Sequence, residues 1–320
     1  MPQRRDTDDL APHDPAETAP ERPTVSIGMP VYNGARYIRH SLDALRAQEF
    51  ADFELIVSDN ASTDETGEIV AACAAADPRV HYHRNEENLG AIGNFNRVCE
   101  LARGTYFLWA SCHDVWAPGF LARCVAEMQR DESIVLCCTR SSWIDEAGEV
   151  LGPLGGELDT RGLSPARRYR RVLRRHQPYQ IYGLHRFDAL RRVLPYRKTL
   201  GPDNLILVEL AFLGSFALVA GELFHMRKLD DFGSWQNYFR KLNMRLTPLS
   251  GPAMCLRYVR DHLAIVRRQE PRCGTRLWLR LYTVACLMLR SSPVFGAIVL
   301  EGLFPRAIPW LRSAVRRGRR

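Results

Sequence analysis

Residues 25–38 read VSIGMPVYNGARYI: a short apolar run, an Asn-Gly pair that favours a turn, and the start of a helical pattern. Apolar runs recur at 53–57, 80–83 and 105–110, and each is followed by a stretch that favours a helix. Strands that alternate with helices at this rhythm form a parallel sheet covered on both faces. We therefore predict an α/β fold with a mostly parallel sheet flanked by helices.

The composition indicates a globular protein. The chain has 320 residues, of which 46% are hydrophobic and 25% charged, enough to bury a large core and unlike a disordered or collagenous chain. Nine cysteines, an odd number without a CxxC pair, favour reduced thiols in the cytoplasm and argue against a structural zinc site. We expect the polar, proline-containing residues 1–22 to be a disordered leader without an export signal.

The net charge of +8 is unevenly distributed. Residues 251–320 contain fourteen arginines, no lysine and three acidic residues, so their net charge is +11. Residues 1–250 therefore have a net charge of −3. A nucleic-acid-binding protein would carry its basic groups on the folded recognition surface, so we predict no nucleic acid partner. We predict instead that the basic carboxyl-terminal region contacts an anionic membrane surface.

Polar side chains follow all four predicted strands, at the edge of a parallel sheet where ligands bind. They are Tyr32 and Asn33, Asp59 and Asn60, Arg84 and Asn85, and Ser111 to Asp114. Asp59 is able to accept a hydrogen bond from a base or to cap the next helix. Tyr32 is able to stack on a base, or it packs against the protein. Arg84 is able to neutralise a phosphate, or its charge remains solvated. The residues alone leave these alternatives open.

Four segments in order, 25–38, 54–66, 84–97 and 104–110, resemble the nucleotide-sugar half of a family 2 glycosyltransferase of the GT-A fold. The resemblance is firm over residues 24–130 and looser to about 228. It implies an inverting enzyme that moves a sugar from a nucleoside diphosphate sugar to a hydroxyl of a glycan or lipid-linked acceptor. It also implies these donor-binding residues: Pro30, Tyr32, Asp59, Arg84, Asn96 and Ser111. Neither a nucleotidyltransferase nor a dinucleotide dehydrogenase fits, because the first strand lacks their glycine-rich loop.

The metal motif of the family is altered here. Relatives place an Asp-x-Asp motif after the fourth strand, where Mg²⁺ or Mn²⁺ offsets the charge of the leaving diphosphate. In this chain Ser111 and His113 stand at the two aspartate positions, and Asp114 is the remaining carboxylate. The resemblance implies that His113 and Asp114 hold Mg²⁺ or Mn²⁺. The alternative is a degraded metal site and a catalytically impaired protein that only binds nucleotide sugars.

The resemblance also implies a catalytic base. Residues 199–214 resemble an acidic motif of the family at the start of a helix, in which Asp203 matches the second acidic residue and Pro202 replaces the first. A base is needed to deprotonate the acceptor hydroxyl. The alternative makes Asp203 the cap of an apolar helix with Leu205, Val208 and Phe212 facing the core.

Residues 179–191 resemble the segment that lines the acceptor cleft, which implies Tyr182, Gly183 and Arg186 as acceptor residues; packing explains them equally well. An Arg-x-His element usual in the family is missing at its expected spacing, where His225 and Arg227 are the nearest candidates.

We predict three regions: the leader 1–22, a catalytic domain 23–230 and a helical basic extension 231–320. The catalytic domain divides into a nucleotide-sugar half, 23–130, and an acceptor half, 131–230. Between 280 and 301, Arg290 and Pro293 predict two short segments instead of a membrane-spanning helix. With Trp278, Trp310 and the terminal arginines, these segments suit an anionic leaflet or, alternatively, a helical lid on the catalytic domain. We therefore expect a cytoplasmic protein, peripheral on the inner face of the membrane.

Overall fold

The computed structural model describes residues 22–229, 235–241 and 244–303. Its first half contains four parallel strands in the order β3-β2-β1-β4, connected by helices as predicted. The elements are β1 (Val25–Val31), α1 (Ile38–Arg46), β2 (Phe53–Asp59), α2 (Thr66–Ala76), β3 (Val80–Arg84), α3 (Gly90–Leu101) and β4 (Tyr106–Trp109). β1, β2 and β4 are almost fully buried because helices cover both faces, which explains their continuous apolar runs, whereas β3 at the sheet edge is mostly half-buried.

The sheet continues beyond β4 with mixed directions. The further elements are β5 (Val115–Trp116), α4 (Phe120–Arg130), β6 (Ile134–Ile144), β7 (Val150–Pro153), α5 (Pro165–Arg175), β8 (Leu184–Arg186), α6 (Phe187–Arg191), α7 (Pro202–Leu213) and β9 (Ser215–Arg227). β8 lies antiparallel between β4 and β6, and β9 runs parallel to β6. β5 closes one edge, and β7 pairs with β6 off the main path.

Helix α7 is the most enclosed helix of the second half. The side chains of Leu205, Val208 and Phe212 face the core, as the capping alternative expects, although Gly201 and not Asp203 is the N-cap residue; most of their helical neighbours are buried as well. The added burial comes from α5 and from α9 (Ser250–Gln269), which pack against α7. A helix covered on several sides loses the polar face that a surface helix would show.

The predicted boundary near residue 230 does not separate two cores. One apolar cluster contains Leu205 and Val208 of α7 together with Phe239 of α8 (Trp235–Lys241) and Tyr258 of α9. The buried Glu209 carboxylate also accepts hydrogen bonds from Arg197, at 3.4 Å, and from Arg268 and Gln269 of α9, at 2.7 and 3.2 Å. The carboxyl-terminal helices therefore pack on the acceptor half, as in the lid alternative.

The prediction of two short segments between 280 and 301 is wrong. α10 (Cys273–Leu303) is one helix of 31 residues that runs through Pro293. An internal proline removes one backbone hydrogen bond, a loss that tertiary packing on α9 and α5 outweighs. No helix in the described ranges is both long and apolar enough to cross a bilayer. Trp310, the terminal arginines and leader residues 1–21 lie outside the described residues.

The contact between β1 and α3 depends on a glycine. A Cβ on Gly28 would come within 2.8 Å of Cζ of Phe107 and within 2.8 Å of Cβ of Val98. The Val98 Cβ is fixed to the backbone of α3, so it is unable to move aside without displacing the helix. Gly28 thus sets how closely α3 approaches the sheet.

We expect Gly28→Ala to lower the free energy of unfolding by about 1–3 kcal/mol, the usual cost of overpacking. The matched control is Gly296→Ala in α10, where an added Cβ meets no atom within 4 Å. The free energy of unfolding of that variant should be unchanged or higher by up to about 1 kcal/mol, because alanine has a higher helix propensity than glycine. Urea denaturation measures both, and equal stability of the two variants would contradict this view of the β1–α3 contact.

Candidate active site

The strand register brings the four loops of the first half to one rim of the sheet. Val31 pairs with Asp59, and Asp59 pairs with Arg84, across three neighbouring strands. On the other side of β1, Gly28 pairs with Trp109, and the amide of Ala110 donates to the Gly28 carbonyl. Residues 32–34, 60–65, 85–89 and 111–114 therefore follow strand ends that lie side by side.

Asp59 organises this rim. Its fully buried carboxylate accepts from Arg84 Nη1 at 2.6 Å, from the Tyr82 hydroxyl at 2.8 Å and from the Ser62 amide at 2.8 Å. Burial opposes ionisation, but hydrogen bonds from Ser62 and Tyr82 and the charge of Arg84 outweigh it, so the pKa of Asp59 lies below its usual value. Asp59 thus fixes the loop after β2, including Asn60.

A pocket of about 450 Å³ opens at the rim between the loops after β1 and β2 and the start of α3. It is lined by Pro30, Val31, Tyr32, Asn60, Asn88, Gly90, Ala91, Asn94, Phe95 and Arg240. The ring of Tyr32 is half exposed at its mouth, whereas the amides of Asn60 and Asn94 are buried in its wall. The volume and the mix of apolar and amide groups suit a nucleoside.

The amides in the wall are held in place by hydrogen bonds. Asn94 donates to the carbonyls of Ser58 and Val31, at 2.8 and 3.3 Å, and its oxygen accepts from the Ser58 hydroxyl at 2.7 Å. Asn60 donates to the Asn88 side chain at 2.8 Å and accepts from the Leu89 amide at 2.8 Å. The pocket wall is therefore preorganised.

The residues predicted for the donor site fall into three groups by their position: in the pocket lining, behind the pocket wall, and away from the pocket. Pro30 and Tyr32 line the pocket, while Asp59 and Arg84 lie behind its wall, next to Asn60. Asn96 lies outside the lining and exchanges hydrogen bonds with the backbone of Tyr196, at 2.7 and 3.2 Å.

Ser111, the remaining predicted donor residue, is buried after β4, where its hydroxyl accepts from the His113 amide at 3.2 Å. Sequence reasoning missed Asn94 and Arg240. Asn94 lies within a segment that carried the resemblance, but Arg240 comes from α8, which only the tertiary fold brings to the pocket.

The predicted metal residues are adjacent. His113 Nε2 lies 3.9 Å from Asp114 Oδ1, which accepts from the Arg227 amide at 2.9 Å. Asp114 Oδ2 is buried and has no hydrogen-bond partner. Burial raises the pKa of Asp114, against the opposing influence of His113 and of the Arg227 amide. A buried carboxylate oxygen without a partner beside an imidazole fits a cation.

The protein supplies few ligands for such a cation. No group of three or more His, Cys, Asp or Glu side chains suited to a metal occurs among the residues that the structure describes. Mg²⁺ commonly takes one or two carboxylates and obtains its other ligands from water and substrate phosphates. The pair His113 and Asp114 is therefore compatible with a cation that binds together with a diphosphate.

Arg227, at the end of β9, holds the metal loop in position. Its buried guanidinium donates from Nε to the His113 carbonyl at 2.9 Å, and from Nη1 to the carbonyls of Asp145 and Glu146 at 2.5 and 2.7 Å. Arg227 therefore acts on the site through backbone contacts. His225 instead pairs with the Ser142 hydroxyl at 2.7 Å.

Asp203 lies in the first turn of α7 and is half-buried. Burial raises the pKa of Asp203 to about 7. The neighbouring Tyr182 hydroxyl has a pKa well above its usual value, chiefly because of burial, and the charges of Asp114 and Asp203 raise it further. Tyr182 thus lies within electrostatic reach of both carboxylates.

The predicted acceptor residues do not stay together. Tyr182 and Gly183 line a narrow crevice between the 3₁₀ helix of residues 178–182 and β6. Tyr182 packs there on Phe224, with ring centroids 5.9 Å apart. Arg186 pairs with Tyr106, at the amino end of β4 and thus opposite the rim. Its guanidinium donates to the carbonyls of Ile134 and Met128, at 3.0 and 2.7 Å, so we leave it out of the acceptor site.

Solved structures with this architecture bind nucleotide sugars. TarS of Staphylococcus aureus in complex with UDP-GlcNAc is 15% identical with a TM-score of 0.60, covering 83% of this chain and 73% of its own. The mannosyltransferase PcManGT of Pyrobaculum calidifontis, in complex with GDP-Man and Mn²⁺, is 15% identical with a TM-score of 0.54, covering 92% and 91%. At such identities the likeness establishes a shared fold, here the GT-A fold.

The sequence comparisons identify the family. An uncharacterised glycosyltransferase of Methanocaldococcus jannaschii is 30% identical over 133 residues, which cover 41% of this chain and 46% of the relative. The matched part is thus less than half of that relative's length. The profile of Glycosyl transferase family 2 matches residues 26–198, more than half of the chain. The sheet, its rim and this match together show that the chain belongs to glycosyltransferase family 2.

Proposed function

We propose that the protein is an inverting glycosyltransferase that moves a sugar from a nucleoside diphosphate sugar to a hydroxyl of a glycan or lipid-linked acceptor. The observation that carries the proposal is Asp203, a carboxylate whose pKa burial raises to about 7 and whose charge acts on Tyr182 together with that of Asp114 from the rim. A group with that pKa is suited to accept a proton at neutral pH.

The nucleoside of the donor would occupy the pocket between Tyr32 and the amides of Asn60 and Asn94. Tyr32, half exposed, is available to stack on a base. The Arg84 guanidinium is hydrogen-bonded to Asp59 and to the Ser62 carbonyl, so we assign it to holding the pocket wall. Asp59 holds Arg84 in place behind the wall, and Arg240 contributes a cationic side chain to the pocket lining. TarS binds UDP-GlcNAc and PcManGT binds GDP-Man, which supports a nucleotide-sugar donor without selecting its base or sugar.

His113 and Asp114 would hold a Mg²⁺ or Mn²⁺ ion, and Arg227 would keep their loop in position. Such an ion, when bound, offsets the negative charge that develops on the leaving diphosphate. Mn²⁺ accepts an imidazole ligand more readily than Mg²⁺ does, so the histidine favours Mn²⁺. PcManGT, which has the same fold, binds Mn²⁺.

Asp203 would act as the base. Its carboxylate takes the proton of the acceptor hydroxyl as that oxygen attacks the anomeric carbon from the face opposite the diphosphate. A new glycosidic bond forms, and the bond between the anomeric carbon and the phosphate oxygen breaks with its electron pair going to the diphosphate. The acceptor would lie beside Asp203, with Tyr182 and its neighbour Gly183 at the border of that site.

We further propose a cytoplasmic enzyme, peripheral on the inner face of a membrane that carries the acceptor. All nine cysteines lie within the described ranges and are free thiols, which is typical of a reducing compartment. The basic carboxyl-terminal region supports contact with anionic lipid.

The alternative function is a nucleotide-sugar binding protein without turnover. The observation that favours it is the metal site, which has one carboxylate where relatives carry two aspartates. A panel of nucleoside diphosphate sugars, tested with Mn²⁺ and candidate acceptors, separates the two functions. Release of nucleoside diphosphate supports the transferase, whereas thermal stabilisation by a donor without any release supports the binding protein.

We expect Asp203→Asn to lower the rate of nucleoside diphosphate release at least a hundredfold, because general-base catalysis contributes about 10²–10⁴. The affinity for UDP should remain unchanged. Asp188→Asn, on the exposed surface of α6, is the matched control and should keep the wild-type rate. In the wild type the rate should rise with pH through about 7, because only the deprotonated Asp203 accepts a proton. A flat pH profile, or an active Asp203→Asn, would remove the base assignment.

We expect Asp59→Asn to lower the free energy of unfolding at pH 7 by about 1–3 kcal/mol, because charge-assisted hydrogen bonds to a buried carboxylate are lost. The pKa of Asp59 is lower in the folded protein, so this stabilisation is present above the unfolded value, near 3.9, and is lost as pH falls through the folded value. UDP should also bind more weakly, since the loop of Asn60 loosens. Urea titrations at several pH values, with the exposed Asp43→Asn as control, test this; an unchanged stability at pH 7 would contradict it.

We expect UDP to raise the melting temperature more with Mn²⁺ than without it, because the diphosphate completes the ligand set. His113→Ala should weaken the Mn²⁺-dependent binding of UDP by about tenfold or more and leave the metal-free binding intact. His40→Ala, exposed on α1, is the control. Calorimetric titration of UDP with and without MnCl₂ measures this, and an equal effect of Mn²⁺ on all three proteins would contradict the assignment.

A further inference from the structure

Helix α5 carries a cluster of arginines that the donor site does not use. Its sequence PARRYRRVLRR has six arginines and no acidic residue. Arg168 turns inward and donates to the carbonyls of Ala211, Leu163 and Phe212, at 2.9, 3.1 and 3.3 Å. The other five line one polar pocket of about 280 Å³ together with Leu163 and Tyr282; they are Arg167, Arg170, Arg171, Arg174 and Arg175.

This cluster is unfavourable for the helix itself. Like charges three and four residues apart repel one another, and the cations at 167 and 168 stand at the positive end of the helix dipole. Only Arg174 and Arg175, in the last turn, suit the dipole. Five guanidinium groups around one recess therefore indicate a binding site for an anion, and guanidinium groups match phosphate geometry well.

Helix α10 presents an apolar stripe next to this pocket. Leu277, Leu281 and Met288 are 59%, 64% and 55% exposed and share one helix face. The opposite face, with Leu279, Thr283 and Leu287, is buried. A hydrogen bond of 2.9 Å between Tyr169 of α5 and Thr283 fixes the orientation of α10. An exposed apolar stripe of this kind marks an interaction surface.

Aromatic side chains join the pocket to the stripe. The Arg170 guanidinium stacks over the rings of Trp278 and Tyr282, at 4.6 and 5.0 Å from their centroids. The two rings stack on each other at 5.4 Å. Tyr282 also lines the arginine pocket. Trp278 follows Leu277 of the apolar stripe directly in the sequence, and its side chain is 45% exposed. Cations, aromatic rings and exposed aliphatic side chains therefore form one continuous surface.

We propose that this α5–α10 surface docks on an anionic lipid bilayer, with a phospholipid phosphate in the arginine pocket and the α10 stripe in the boundary between headgroups and acyl chains. The charge complementarity supports lipid over a second copy of this chain, because two copies would bring like-charged pockets together. A surface with arginines beside Trp and Leu is typical of interfacial helices. The inference rests on the membrane-surface part of the proposed function and not on donor chemistry.

Vesicle co-sedimentation tests the proposal with the full chain. We expect binding to vesicles of phosphatidylcholine mixed with an equal amount of phosphatidylglycerol, and at least tenfold weaker binding to phosphatidylcholine alone. Arg167→Glu combined with Arg174→Glu should weaken binding to the mixed vesicles at least tenfold. The matched control, Arg39→Glu combined with Arg192→Glu, makes the same charge change at two exposed arginines, one in α1 and one directly after α6, and should bind like the wild type.

The apolar stripe is tested separately. Leu277→Ser combined with Leu281→Ser should weaken binding to the mixed vesicles at least tenfold, whereas Val150→Ser combined with Leu151→Ser, at exposed positions of β7, should not. Nucleoside diphosphate release from a donor in solution should stay unchanged in all four variants, so a failure of docking is distinguishable from a failure of the transferase proposal. The surface is not a lipid site if the wild type binds neither vesicle type, or if the two arginine double variants bind the mixed vesicles equally well. It is an interface between copies of this chain if the leucine variant binds vesicles like the wild type but changes from a dimer to a monomer.

Discussion

The position of the metal loop between the two halves of the sheet depends on the buried guanidinium of Arg227. Its donors satisfy the carbonyls of His113, Asp145 and Glu146, while its amide donates to Asp114. Asp114 belongs to the loop after β4, and Arg227 ends β9 in the other half of the sheet. Five donors on one rigid fork are able to join segments that the chain keeps more than a hundred residues apart. Arg227 therefore gives the loop of His113 and Asp114 the fixed position that the proposed metal site requires.

The two halves of the sheet serve the site in different ways. In the first half the strands are parallel, so every loop that follows them reaches the same rim, and Asp59 couples neighbouring loops through Arg84 and Ser62. In the second half the strand directions are mixed, and Asp203 is carried by α7, a helix outside the sheet. This division agrees with a nucleotide held rigidly by the first half and an acceptor approached from the second.

The residues after 230 have two roles. Through α8 and α9 they complete the core around α7, and Tyr238 and Tyr258 accept hydrogen bonds from Gly201 and Asn204, next to Asp203. Through α10 they present an apolar face beside the arginines of α5. A lid and a membrane surface are therefore compatible in this molecule, because the helices bury one side and expose the other.

Much of the fold and part of the site follow from local sequence. Buried parallel strands need continuous apolar runs, and strand ends in such a sheet converge, so β1 to β4 and the rim with Tyr32, Asp59 and Arg84 were predictable from residues 24–110. Proximity between distant segments is a property of packing that no local pattern encodes. Only the tertiary structure brings Arg240 to the pocket, places Arg186 at the far end of the sheet, keeps α10 unbroken at Pro293 and joins α5 to α10. The sequence by itself determined which residues are able to bind and react, and the packing decided which of them meet.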